Sequence, residues 1–249
     1  MATHSQQAAA ARVRSPWRPG SRIHRLRASH SYRAVLVCIV ALFLVMVAAP
    51  DDSWSRTAFV SLEIVTLVTA VWTTGLARDA RPTLFLAIAV AIVVAAAQVV
   101  FDSDAAGPGW ISGAVLLAAT VAVLGVGVVD QGAVNAQSVL GAICIYVLLG
   151  LVYADVYGAV AAFGSGPFFA QGTDGTPSIR VYFSYVTLAT VGYGDYTPSG
   201  DLGRTLVVGE ALLGQLYLVT VVALLVSRLR RRPAASEDAP GAEPGASDD

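Results

Sequence analysis

Lysine is absent from this 249-residue chain, and charge of either sign is scarce: 13% of the residues are charged, where a soluble domain carries about 25%. With 55% hydrophobic residues, so few charges cannot cover a water-facing surface. A soluble enzyme, a disordered chain and a collagen-like chain are excluded, and a membrane protein is implied. Cysteine is nearly missing too. Cys38 and Cys144 lie inside apolar runs without metal-ligand spacing, which excludes a disulfide scaffold and makes them small buried hydrophobes. No nucleotide fingerprint, metal cluster or catalytic triad occurs. An enzyme, a cofactor, a nucleic-acid partner and a small-molecule substrate are therefore not expected.

What charge there is has been sorted. All 16 basic residues are Arg, and the net charge of −1 conceals their placement. Arg12, Arg14, Arg18, Arg22, Arg25, Arg27 and Arg33 precede any acid, whereas Glu237, Asp238, Glu243, Asp248 and Asp249 close the chain without a base. A bilayer core about 30 Å thick needs about 20 apolar residues per helix. Six runs pass that ruler, at 33–49, 57–76, 83–101, 110–129, 138–157 and 204–227. With both termini inside, the seven N-terminal Arg, Arg78, Arg81, Arg228, Arg230, Arg231 and Arg232 are cytoplasmic, and only Arg56, Arg180 and Arg204 lie outside. That asymmetry agrees with an even number of spans and a multi-pass protein of the cell membrane. The rival for the first run is a cleaved signal, but its basic lead-in is long and the run is nearly a full span. The lead-in itself reads as a tail or as a segment lying on anionic lipid headgroups.

Between the fifth and sixth runs lies a stretch of another kind. Gly164, Gly166, Pro167, Gly172, Gly175 and Pro177 predict an irregular turret, and Thr176-Pro177 opens a helix to about Ala189 with an N-cap and a first-position Pro. Such a helix crosses about half a membrane. The non-helical backbone after it tolerates membrane depth only inside protein or along a water-filled path. It reads Thr190-Val191-Gly192-Tyr193-Gly194-Asp195. Stripping water from a cation takes stacked rings of carbonyl oxygens, and successive carbonyls point one way only if the backbone alternates in hand. Gly192 and Gly194 supply the positive φ cheaply. Val191 and Tyr193 turn their side chains behind the strand, the Thr190 hydroxyl adds an inner ring, and the C-terminal end of the short helix favours a cation.

This stretch resembles the selectivity filter of potassium channels residue for residue, and the resemblance extends over about residues 138–229. It implies an all-α membrane protein of six transmembrane helices, with a re-entrant pore helix and filter loop between the fifth and sixth. Potassium is then the permeant ligand, held by the carbonyl oxygens of Thr190, Val191, Gly192 and Tyr193. A single filter strand cannot enclose an ion, and the chain holds one copy, so three further copies complete a homotetramer.

The resemblance also assigns neighbours. The aromatic cuff that braces such a filter aligns with Tyr182, whose hydroxyl reaches Asp195, and with Phe183, which has nothing to donate; packing or interfacial anchoring is the rival reading. A carboxylate found behind the filter in some bacterial members is replaced by Val186, so Glu210 in the sixth run is the candidate support, with Thr187 or Tyr185 as partner. Gly214 matches the bend of the inner helix, a gating hinge or a point of close packing. Gln215, Leu218 and Val222 follow as cavity lining. Asp51, Asp52, Asp102, Asp104, Asp155, Asp174, Asp195 and Asp201 outnumber the outer Arg and either attract cations or merely reflect the exclusion of Arg.

The fourth run contains no Arg, which rejects a voltage sensor. Glu63 and Gln98 are read as packing or interhelix contacts. The expected organisation is a basic segment 1–32, an accessory four-helix region 33–129, a pore domain 138–229 and a disordered tail 230–249. The expected function is a potassium-selective channel, with a weakly selective cation channel or a non-conducting sensor subunit as alternatives.

Overall fold

The computed structural model describes residues 31–48, 53–74, 107–129 and 136–229. The third apolar run, 83–101, the basic segment 1–30 and the tail 230–249 lie outside the described residues. Six helices are described: α1 (Ser31–Ala48), α2 (Ser53–Thr74), α3 (Gly107–Val129), α4 (Ala136–Phe163), α5 (Pro177–Leu188) and α6 (Asp201–Leu229). The architecture is all-helical among the described residues, with β-bridges only at Phe169 with Thr173 and with Pro198. Three stretches, Gly107–Val129, Ala136–Phe163 and Asp201–Val221, are long and apolar enough to cross a membrane, while Tyr32–Ala48 and Ala58–Thr74 are shorter apolar helices.

Each helix owes its position to one buried stripe. On α1 the buried residues are Tyr32, Val35, Ile39, Leu42 and Met46, at alternating spacings of three and four, whereas Val37, Leu44 and Val47 face outward. The stripe enters a core with Phe59 and Ala70 of α2, Leu117 and Leu124 of α3, and Cys144, Leu148, Leu151 and Ala154 of α4. Helix α4 is the hub: α1, α3, α5 and α6 all pack on it. It continues to Phe163 rather than stopping at 157, because Gly158 stays helical where it is buried against Trp110, and the helix ends only before Gly164, whose N–H donates to Val160 O at 2.9 Å. Asp155 does not shorten it, being buried against other helices instead of marking a water boundary.

The segment between α4 and α5 is fixed at both ends. Phe168 N–H donates to Asp174 Oδ1 at 2.9 Å, and Phe169 N–H to Thr173 O at 3.0 Å. Two further bonds tie it to the chain after the TVGYGD stretch, from Ala170 N–H to Thr197 O and from Ser199 N–H to Phe168 O, each 2.8 Å. Below it Phe168, Phe169, Tyr157 and Phe183 form a separate aromatic core.

Candidate ion-conduction site

Helix α5 begins where the sequence places it. Thr176 adopts an extended conformation and its Oγ1 accepts the Ile179 N–H at 3.3 Å, while Pro177 occupies the first turn, where no N–H is needed. Twelve residues rise about 18 Å. The helix is pinned sideways: Tyr185 donates its hydroxyl to Val147 O of α4 at 2.6 Å and meets the Phe43 ring of α1 edge-on at 5.6 Å.

After Ala189 the backbone changes character. Thr190 has φ 56°, Gly192 φ 57° and Gly194 φ 78°, so every second residue is left-handed. The sequence assigns this conformation to the two glycines; the structure adds Thr190, at a steric cost of about 1–2 kcal/mol for an L-residue. The stretch is held by its N–H groups. Thr190 donates to Thr187 O at 2.8 Å, Val191 to Val186 O at 2.9 Å and Gly192 to Val186 O at 3.2 Å. Among the described residues, the carbonyls of Thr190, Val191, Gly192, Tyr193 and Gly194 accept no hydrogen bond. Residues Thr190 to Asp195 are all exposed in the single chain. A row of uncommitted carbonyls on a backbone of alternating hand is an arrangement suited to ligating a desolvated cation.

Polar and aromatic contacts hold the outer end. Tyr182 donates its hydroxyl to Asp195 Oδ2 at 2.7 Å and stacks on Tyr193, with centroids 6.5 Å apart and an interplanar angle of 7°. Asp195 Oδ1 accepts the Tyr196 N–H at 3.0 Å, and Gln171, which sequence reasoning passed over, donates from Nε2 to Asp195 O at 2.7 Å. Phe183 points the other way, into the aromatic core, 5.1 Å from Phe169 and 5.3 Å from Tyr157.

Glu210 is fully buried and reaches the pore helix, though through partners other than Thr187 or Tyr185. Ser184 Oγ donates to Glu210 Oε1 at 2.5 Å, and Tyr157 donates its hydroxyl to Glu210 Oε2. Ser184 Oγ also lies 2.7 Å from Gly150 O, so one hydroxyl proton serves two acceptors and links α4, α5 and α6. The missed signal was spacing: Ser184 precedes Thr187 by one helical turn and shares its buried face. Replacing Glu210 by Leu strands the buried Tyr157 hydroxyl, leaves Ser184 only Gly150 O, and is expected to cost about 2–3 kcal/mol, whereas Gln retains an acceptor and a donor and costs about 1. Thermal melting in detergent checks this; equal midpoints for the two variants would remove Glu210 from the support of the pore helix.

Further along α6, Gly214 is buried against the end of α5, and a Cβ there would collide with Leu188 O. Gln215 and Leu218 are exposed on the free face of α6; Val222 belongs to the same helix, with its side chain outside the described part. Two of the residues counted outside the membrane are not at a water-facing mouth. Asp155 is 2% and Arg180 5% exposed.

A short helix capped at its start, a left-right alternating strand at its end and two long apolar helices around them define an ion-channel pore module. Residues 141–231 match the family described as "Ion channel". A 73-residue stretch is 37% identical to the inward rectifier potassium channel Kirbac3.1 of Paramagnetospirillum magnetotacticum, covering 29% of this chain. It covers 25% of that channel's own length. The matched stretch is thus similar to the pore domain of ion channels, and the chain spans about a quarter of the length of the potassium channel it matches.

Proposed function

We propose that the chain is one subunit of a homotetrameric, potassium-selective channel that conducts passively, in single file, through the stretch 190–194. The observation that carries this reading is the backbone itself: alternating left-handed residues with carbonyls free of hydrogen bonds. Each such strand can contribute one quarter of a carbonyl ring, and the exposure of Val191, Tyr193 and most of α6 in the isolated chain leaves apolar surface for neighbouring copies. Leu202, Val208, Leu212, Leu216 and Val219 are all exposed on α6. In this reading the pore domain spans 138–229, the run 83–101 supplies a sixth span, and α5 with its filter forms a re-entrant loop. The protein then sits in the cell membrane in contact with lipid, both termini cytoplasmic, with potassium as permeant ion rather than cofactor.

Reconstitution into liposomes under opposed potassium and sodium gradients tests the proposal. The expected reversal potential lies near that of potassium. A value near zero under those gradients would replace selectivity with weak cation conduction, and absence of current in every condition would leave a non-conducting subunit. A monomeric or dimeric particle in mild detergent would remove the tetramer on which the ion site depends.

A further inference from the structure

We propose that Glu63, Asp155 and Arg180 form a proton-binding site inside the helix bundle, whose single proton fastens the accessory helices to the pore helix. Glu63 of α2 is 4% exposed, and its carboxyl lies beside that of Asp155 on α4, itself 2% exposed. Two carboxylates side by side and away from water repel each other and do not both stay ionised, so the pair takes up one proton. Both converge on Gly113 of α3. A Cβ at Gly113 would stand 3.0 Å from Glu63 Oε1, 3.2 Å from Oε2 and in collision with Asp155 Oδ2. Glu63 Oε2 is buried there without a hydrogen-bond partner among the described residues, turned into the junction of three helices.

Arg180, in the first turns of α5, balances the remaining charge. Its positive charge acts on Asp155, and its Nε lies 3.2 Å from where Gly158, one turn beyond Asp155, would carry a Cβ. The guanidinium covers the Trp110 ring of α3 at 4.4 Å and donates from Nη1 to Gly175 O at 2.6 Å and to Asp174 O at 3.2 Å. Two carboxyls, one shared proton and one Arg sum to zero, the only inexpensive total in a buried site. No other titratable group faces the pair among the described residues: α3 offers Gly113 and Trp110, Cys38 of α1 lies against Thr69, and Tyr157 is bonded to Glu210. The proton thus joins α2, α3 and α4 at one point and reaches α5 and the turret through Arg180.

The sign of the pH effect follows. Separated helices would expose two carboxyls that ionise at pH about 4, so at neutral pH the packed state holds one proton more than the separated state. Packing therefore weakens as pH rises. The effect on conduction rests on the channel reading above; the proton site does not.

The full-length protein tests both parts. In a Glu210→Gln background, which removes the other acid that is buried among the described residues, infrared spectroscopy is expected to show a protonated-carboxyl band that Glu63→Gln and Asp155→Asn each abolish. The melting midpoint of the unmodified protein in detergent should fall from mildly acidic to alkaline pH, and that of Glu63→Gln should fall distinctly less, the remaining slope belonging to Glu210. Potassium flux from liposomes should change several-fold over the same range and depend clearly less on pH in Glu63→Gln. A Glu210→Gln protein without the band overturns the site even if the double variants do not fold, and so does a Glu63→Gln midpoint that follows the unmodified slope. Flux indifferent to pH, with band and midpoint as expected, overturns the coupling. Band and midpoint as expected with no current at any pH count against the channel reading and leave the proton site standing.

Discussion

Gly192→Ala is expected to abolish selective potassium flux from reconstituted protein while leaving the chain folded and assembled. Gly192 has φ 57°, and nothing lies within 4 Å of where its Cβ would stand. The penalty is therefore conformational rather than a collision, about 1–2 kcal/mol for each L-residue forced into the left-handed region. In the proposed tetramer, four copies around one axis multiply it to about 4–8 kcal/mol. Relief comes by rotating the peptide into the ordinary region, which turns a carbonyl away from the axis and breaks a ring of ligands. Reversal potential under opposed gradients gives the readout. A variant that remains potassium-selective would show that 190–194 does not form the conducting backbone, and the proposed function would go with it.

Gly214→Ala is expected to lower stability by about 1–3 kcal/mol, as overpacking does, and to reduce flux strongly. In an exposed helix interior the same exchange would stabilise by about 1 kcal/mol. The sign is reversed here because the new methyl would meet Leu188 O, with Leu188 Cδ1 at 2.9 Å and Leu188 C at 3.1 Å. A carbonyl on the last residue of α5 cannot swing aside like a side chain. Instead α6 must retreat, or the C-terminal end of α5 must move together with Thr190, whose N–H is bonded to Thr187 O. A raised melting midpoint with altered opening kinetics would favour a hinge at Gly214. A lowered midpoint with lost flux identifies it as a seat for the pore helix. Thermal melting and single-channel recording on one preparation separate the two.

Local features of the site are legible in residue order because each depends on neighbours along the chain. Thr176-Pro177 marks the start of α5, Gly192 and Gly194 mark left-handed backbone, and Tyr182 stands thirteen residues before the Asp195 carboxylate to which it donates. Thr190 in the same conformation was not legible. A β-branched residue carries no propensity for positive φ, and only the hydrogen bonds to the end of α5 hold it there. Nor were the partners of Glu210. Thr187 and Tyr185 are as near in sequence as Ser184, and which of them meets α6 depends on the rotation of α5 about its own axis.

The sequence by itself determined that this is an apolar chain, helical where it is described, that most of those helices start and stop within about four residues of the expected bounds, and that residues 190–195 form a special backbone. Composition, helical period and glycine placement act over a few residues and leave a direct trace in the order of letters. Only the tertiary structure decided that Asp155 and Arg180 turn inward to Glu63, Gly113 and Trp110, and that Glu210 joins Ser184 to Tyr157. These meetings are set by how helices cross and rotate against one another. A helical period shows which residues share a face of one helix, but not which face of another helix they will meet.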